Sequence, residues 1–161
     1  MKALTLTQPW ATLVALGAKQ METRSWSTKY RGAFAIHAAH YFLQEAKDLV
    51  FTEPFYSALN RQIDERHSEF PALPCGAIIA VCELVDCIRV LDKQVFFGVR
   101  ADSIVRLPPD EPECSLGNYS PGRYAWILTN IRAMNKPIPA KGTLSLWEMS
   151  PNLVKQIEAQ L

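Results

Sequence analysis

A chain of 161 residues, 48% hydrophobic and 20% charged, has the length for one domain with a real core and the composition of an ordinary globular protein. Its formal net charge of +1 excludes a strong overall field, so a polyanion would have to be held by a local patch, and tight non-specific DNA wrapping is not expected. The first residues, Met1 to Thr7, lack the apolar run and cleavage site of a signal peptide, and no stretch reaches the roughly 18 apolar residues of a membrane helix.

Cys75, Cys82, Cys87 and Cys114 form no C-x-x-C pair and no cluster with histidine. They read as reduced thiols, several of them buried in or beside a strand, in a cytoplasmic protein with neither a metal site nor a cofactor.

Residues 3–7 alternate, with Leu4 and Leu6 on one side, and predict a short half-buried strand. A helix follows, capped by Thr7 or Gln8 with Pro9 in its first turn, and Trp10, Leu13, Val14 and Gly17 recur at helical spacing. Gly17 stands where a left-handed C-terminal cap is wanted. From Gln20 to Trp26 the pattern alternates again, so an extended segment would set Glu22, Arg24 and Trp26 on one face and Met21 and Thr23 on the other.

Residues 33–38 read as a buried strand ending at His37. Residues 41–68 predict two helical stripes: Phe42, Ala46, Leu49 and Val50, then Phe55, Leu59 and Ile63 beyond the Pro54 break. Residues 68–74, with two prolines, read as a linker. Residues 75–90 form the longest strand pattern, near-continuously apolar as for a central strand covered on both faces. Residues 95–99 fit a short helix or a strand equally. Residues 107–122, with four prolines, read as a long loop. Residues 123–132 predict a strand whose exit Pro137 and Pro139 punctuate, and residues 142–148 a further alternating strand. Ser150 should cap a last helix with Pro151 at its first position and Leu153, Val154, Ile157 and Leu161 turned inward. Five or six strands, mostly antiparallel, with helices at the start, middle and end, imply an α+β domain built on a small β-barrel.

The densest chemistry lies in the stretch from Gly17 to Trp26, with Lys19, Glu22 and Arg24, followed by Tyr30 and Arg31. Cations interleaved with aromatics suit nucleic acid, since charged groups meet phosphate and rings stack on bases. A solvated loop beside core aromatics would look the same. Glu83, placed by alternation with Ile79, Val81, Val85 and Cys87, is a carboxylate on an apolar face and so should pair with a cation, Lys19 or Arg24, or be driven toward its neutral form. His37 and His40 have no neighbouring ligand set and read as structural histidines. Trp126 and Trp147 stand on strands and read as core.

Gly17-x-Lys19-x-x-Glu22-x-Arg24 resembles the G-x-K-x-x-E-x-R signature of the ASCH (activating-signal-cointegrator homology) domains of the PUA-like superfamily. Gln8-Pro9-Trp10, Tyr30-Arg31-Gly32, Glu83-Leu84-Val85-Asp86-Cys87, Tyr119-Ser120-Pro121-Gly122-Arg123 and Lys141-Gly142-x-Leu144-x-Leu146-Trp147 resemble its bacterial members in the same order. The resemblance implies a single PUA-like β-barrel domain over 1–161, with a helical insertion at about 41–70 and a long loop at about 101–122. It also implies a cleft for RNA or a modified nucleotide. Lys19, Glu22, Arg24, Trp26, Tyr30 and Arg31 would be its ligand contacts. Some family members resemble plain binding modules and another is an amidohydrolase of acetylcytidine nucleosides. In that pattern a lysine activates a threonine three residues later and a strand glutamate assists. Lys19 and Glu83 match its lysine and glutamate, and would be catalytic if the protein is an enzyme, but Glu22 occupies the nucleophile's position. A binding module is therefore the leading expectation, an RNA or nucleoside-amide hydrolase the alternative, and a protein adaptor using the 41–68 helices a third.

Overall fold

The computed structural model describes residues 1–60, 73–91, 99–100, 103–104 and 112–161. Strands β1 (Lys2–Leu6), β2 (Met21–Arg24), β3 (Gly32–Ala38), β4 (Ala77–Arg89), β5 (Val99–Arg100), β6 (Ser103–Ile104), β7 (Tyr124–Pro139) and β8 (Leu146–Glu148) are joined by helices α1 (Trp10–Ala15), α2 (Gln44–Leu49), α3 (Phe55–Asn60), α4 (Pro112–Ser115) and α5 (Pro151–Glu158). Six strands form one sheet in the order β2-β7-β4-β3-β1-β8, and β5 and β6 make a separate ribbon. Within the large sheet only β1 and β3 run parallel. None of the described helices is long and apolar enough to cross a membrane.

The sheet is curled into a half-barrel. In a flat sheet β2 and β1, four strands apart in the order, would be separated by about 19 Å. Yet Arg24 at the end of β2 donates from Nη2 to the Thr5 carbonyl on β1 at 2.8 Å. The curl comes from the long β4–β7 pair, whose register shifts at three places. At one of these Asn130 takes a φ of 49°; such bulges bend a strand and raise its twist.

Alternation distributes the two faces. Leu4, Leu6, Phe34, Ile36, Trp126 and Leu128 share a core with Ala11 and Val14 of α1. Ala3, Ala35, Ile78 and Val81 face the opposite way, under Leu153 and Ile157 of α5. Ser150 caps α5 as expected, accepting from the Leu153 amide, with Pro151 in the first turn. Leu161, expected inward, is exposed beyond the helix end. A third cluster joins Leu13 of α1 to Val50, Phe55 and Leu59, so α2 and α3 form a wall beside α1.

Several expectations are corrected. Strand β7 runs on through Pro137 and Pro139 to 16 residues and is longer than β4. Beyond the segment paired with β2 its second edge pairs with no strand among the described residues, so a proline there forfeits no ladder bond. Strand β8 begins at Leu146, and Ser145, at φ 60°, turns the preceding residues into a loop. The expected loop at 101–122 holds β6 and the short α4. At the start of α1, of the two expected caps it is Gln8 whose side chain accepts from the Thr12 amide, at 3.1 Å, while Thr7 contributes its backbone carbonyl, which accepts from the Ala11 amide at 3.1 Å. The expectations for Ile63 and for most of 68–74 and 95–99 fall outside the described residues.

Candidate functional site

The open seam of the half-barrel is a cleft of about 790 Å³. Its floor is β2, one wall is α1 with Phe55 of α3, and one rim is the loop Thr143–Ser145. Gly17, at φ 72°, ends α1 as a residue with a Cβ could not do without strain. The chain then turns Lys19 inward, where it is wholly buried.

Lys19 is satisfied from a segment distant in the chain. Its ammonium pairs with Glu113 of α4 at 3.1 Å and lies 3.4 Å from the Tyr119 hydroxyl. The same Glu113 carboxylate accepts from the Gln20 amide at 2.6 Å, the Met21 amide at 3.3 Å and the Tyr119 hydroxyl at 2.8 Å. A buried charge is tolerable when paired and hydrogen-bonded on every side. Burial and the adjacent Glu113 carboxylate push the Tyr119 phenol far above its ordinary value, so it stays a donor. Glu113 thus bolts the 112–119 segment onto the start of β2. Gly117 closes over Lys19, where a Cβ would sit 2.9 Å from the ammonium.

Beside this bolt Glu22 is buried on the cleft floor, within 3.4 Å of Arg24 Nε. Burial raises its pKa above the ordinary 4.5, opposed by the charges of Lys19, Arg24 and Arg123. Arg24 and Arg123 are each tied by one Nη2, to the Thr5 and Thr23 carbonyls at 2.8 and 3.1 Å. Their Nε atoms are buried without a hydrogen-bond partner among the described residues. Trp26 lines the cleft and packs edge-on against Trp126, ring centres 4.6 Å apart. Trp10 also lines the cleft and is anchored by a 2.9 Å bond from its indole N–H to the Leu116 carbonyl.

Of the residues singled out in the sequence, Lys19, Glu22, Arg24 and Trp26 come together here. Tyr30 and Arg31 do not line the cleft: the Tyr30 hydroxyl donates to the Ala33 carbonyl, and Arg31 pairs with Asp86 at 2.9 Å. Glu83 is also elsewhere. It is half-buried and accepts from Asn130 Nδ2 at 2.8 Å; neither expected pairing, with Lys19 or with Arg24, is formed. The register shifts in β4 break the alternation that had placed Glu83 on an apolar face. His37 donates from Nε2 to the Ala140 carbonyl at 3.0 Å, and burial holds its pKa below 6.5. Among the described residues no group of His, Cys, Asp or Glu is placed to hold a metal ion.

Sequence reasoning missed Glu113, Arg123 and the rim loop 143–145. Glu113 stands in an acid- and proline-rich stretch without periodicity, so nothing local marks its carboxylate as buried. Arg123 stood within the Tyr119–Arg123 motif, and that was the available signal.

The family model of the ASCH domain matches residues 4–138. Activating signal cointegrator 1 of Mus musculus and of Homo sapiens are each 28% identical to the chain over 153 residues, which is 93% of this chain and 22% of either relative. The chain therefore spans about a fifth of the length of the curated relatives it matches. A crystal structure of a mutant of ZmASCH from Zymomonas mobilis superposes with a TM-score of 0.52 at 11% identity, covering 98% of this chain and 96% of that one; this likeness is one of fold. With the match over most of its length and this half-barrel, the chain belongs to the ASCH domain family.

Proposed function

We propose that this domain binds RNA or a modified nucleotide in the seam cleft. The observation that carries the reading is one cleft lined both by two arginines, Arg24 and Arg123, and by the rings of Trp26 and Trp10. Each guanidinium is oriented by a single Nη2 bond to backbone, which pre-positions it at little further entropic cost. The arginines would meet phosphate, Trp26 would stack on a base, and Glu22 would hydrogen-bond a base edge or ribose. Lys19 would act from beneath, holding the floor in place. Binding also fits Lys19 better than bond cleavage does. A lysine that activates a nucleophile must sit beside it, and this buried ammonium is paired instead with Glu113 at 3.1 Å.

Fluorescence anisotropy with a short labelled single-stranded RNA, titrated at several salt concentrations, tests the reading. Arg24→Ala and Arg123→Ala should each weaken binding and flatten the log–log salt slope by about 0.7, the share of one phosphate contact on a single strand. Thermal melts of both variants check that the fold is kept. Unchanged affinity and slope in both variants would sink the assignment, and shortening of the RNA during the titration would replace binding with hydrolysis.

A further inference from the structure

Leu144 is 92% exposed, and it stands on the rim of the cleft. A single exposed leucine is ordinary on a protein surface. What distinguishes this one is how it comes to be exposed. Continued alternation from β8 would bury Leu144 on the side of Leu146, which packs against the main core. Instead Ser145 takes a φ of 60°, a conformation unfavourable for a residue with a Cβ, and the turn presents Leu144 to solvent.

The loop that carries it is pinned on both sides of Leu144, at Gly142 and Thr143 before it and at Trp147 after it. The Thr5 hydroxyl donates to the Thr143 carbonyl at 3.0 Å and accepts from the Trp147 indole at 3.2 Å. Gly142 lies so close to the His37 ring that a Cβ there would overlap the imidazole. An apolar side chain held out by a rigid loop, at the mouth of a cleft whose other apolar lining includes Trp10, Trp26 and Phe55, has its entropy of ordering already spent.

We propose that Leu144 is a ligand-contacting residue that packs on the flat face of a nucleobase held in the cleft. The proposal rests on the reading of the cleft as a nucleotide site. The partner surface is a base, because a phosphate offers Leu144 no apolar area and a ribose only a small C–H surface, whereas the flat ring face of a base loses the most hydration on contact.

Leu144→Ala removes the contact at a position too exposed to matter to the core. It is compared with wild type on two labelled probes, a short mixed-sequence RNA and a sugar–phosphate oligomer of the same length without bases. The variant should bind the RNA about tenfold more weakly, with an unchanged salt slope and an unchanged melting temperature. Leu144→Met should restore most of the affinity. Binding to the base-free oligomer should be the same in all three proteins. Wild-type affinity of Leu144→Ala for the RNA, or equal losses on the two probes, would overturn the proposal and leave the cleft reading standing. Failure of the wild-type protein to bind RNA would overturn the cleft reading itself, and with it this role for Leu144.

Discussion

At the scale of single residues Glu113 is the side chain on which the site depends. Its carboxylate accepts from one ammonium, two backbone amides and one phenol, all but the Gln20 amide in buried surroundings. Removing it would leave the Lys19 ammonium buried with its ion-pair partner gone. Glu113→Ala should therefore cost about 3–5 kcal/mol, read as a shift of the urea midpoint at constant m-value. Adding Lys19→Met to that variant should recover part of the loss, because an apolar side chain leaves no uncompensated charge; a purely additive double mutant would show that the pair is not coupled. Glu22 gives the opposite case. Burial raises its pKa above 4.5, so the folded state binds the proton more tightly than the unfolded chain. Its contribution to stability is present in full below pH 4.5 and is lost as the pH rises through the folded-state pKa. Glu22→Gln, which resembles the protonated form, should remove this pH dependence and be at least as stable as wild type at neutral pH. Denaturant titrations across the acid range would show it, and a variant that loses stability at neutral pH would contradict it.

At the scale of elements, caps and breaks were well marked in the sequence and reach less so. Ser150 and Pro151 announced α5, and the structure supplies the bond from the Leu153 amide to the Ser150 hydroxyl at 3.3 Å. Ser150→Ala should cost about 1 kcal/mol in a thermal or urea melt, with the proposed RNA affinity untouched. Gly17 likewise ended α1 as its position implied. The prolines misled, because the sequence cannot say whether a strand edge is paired. Pro137 and Pro139 would end a strand paired on both sides, and they are tolerated in β7 because β2 pairs only with its first residues. Glu83 misled for a related reason. A period of two assigns faces only while the register is unbroken, and β4 slips three times against β7. The apolar 75–90 pattern, by contrast, was legible as a central strand, since β4 does lie between β7 and β3.

At the scale of the whole molecule, charge and curl decide what the cleft can hold. The protein carries a net charge of only +1, and the cleft's cations are offset by Glu22 and Glu113 lying among them. RNA binding should therefore depend only weakly on salt, with a log–log slope no steeper than about −1.4, the value for two phosphates on a single strand. A markedly steeper slope would mean that the contact surface extends well beyond the cleft. What the amino-acid order determined by itself was local: strand and helix periods, the cap and stop residues, and short motifs whose family resemblance agrees with the match of the ASCH domain model over residues 4–138. These are legible because they depend on neighbours a few residues apart. Tertiary structure alone decided which of the marked residues meet. It brought Glu113 to Lys19 across 94 positions, drew Arg24 to Thr5 by curling the sheet, and left Tyr30, Arg31 and Glu83 outside the cleft. The partner of a buried charge is chosen by where distant segments pack, and no local pattern along the chain records that choice.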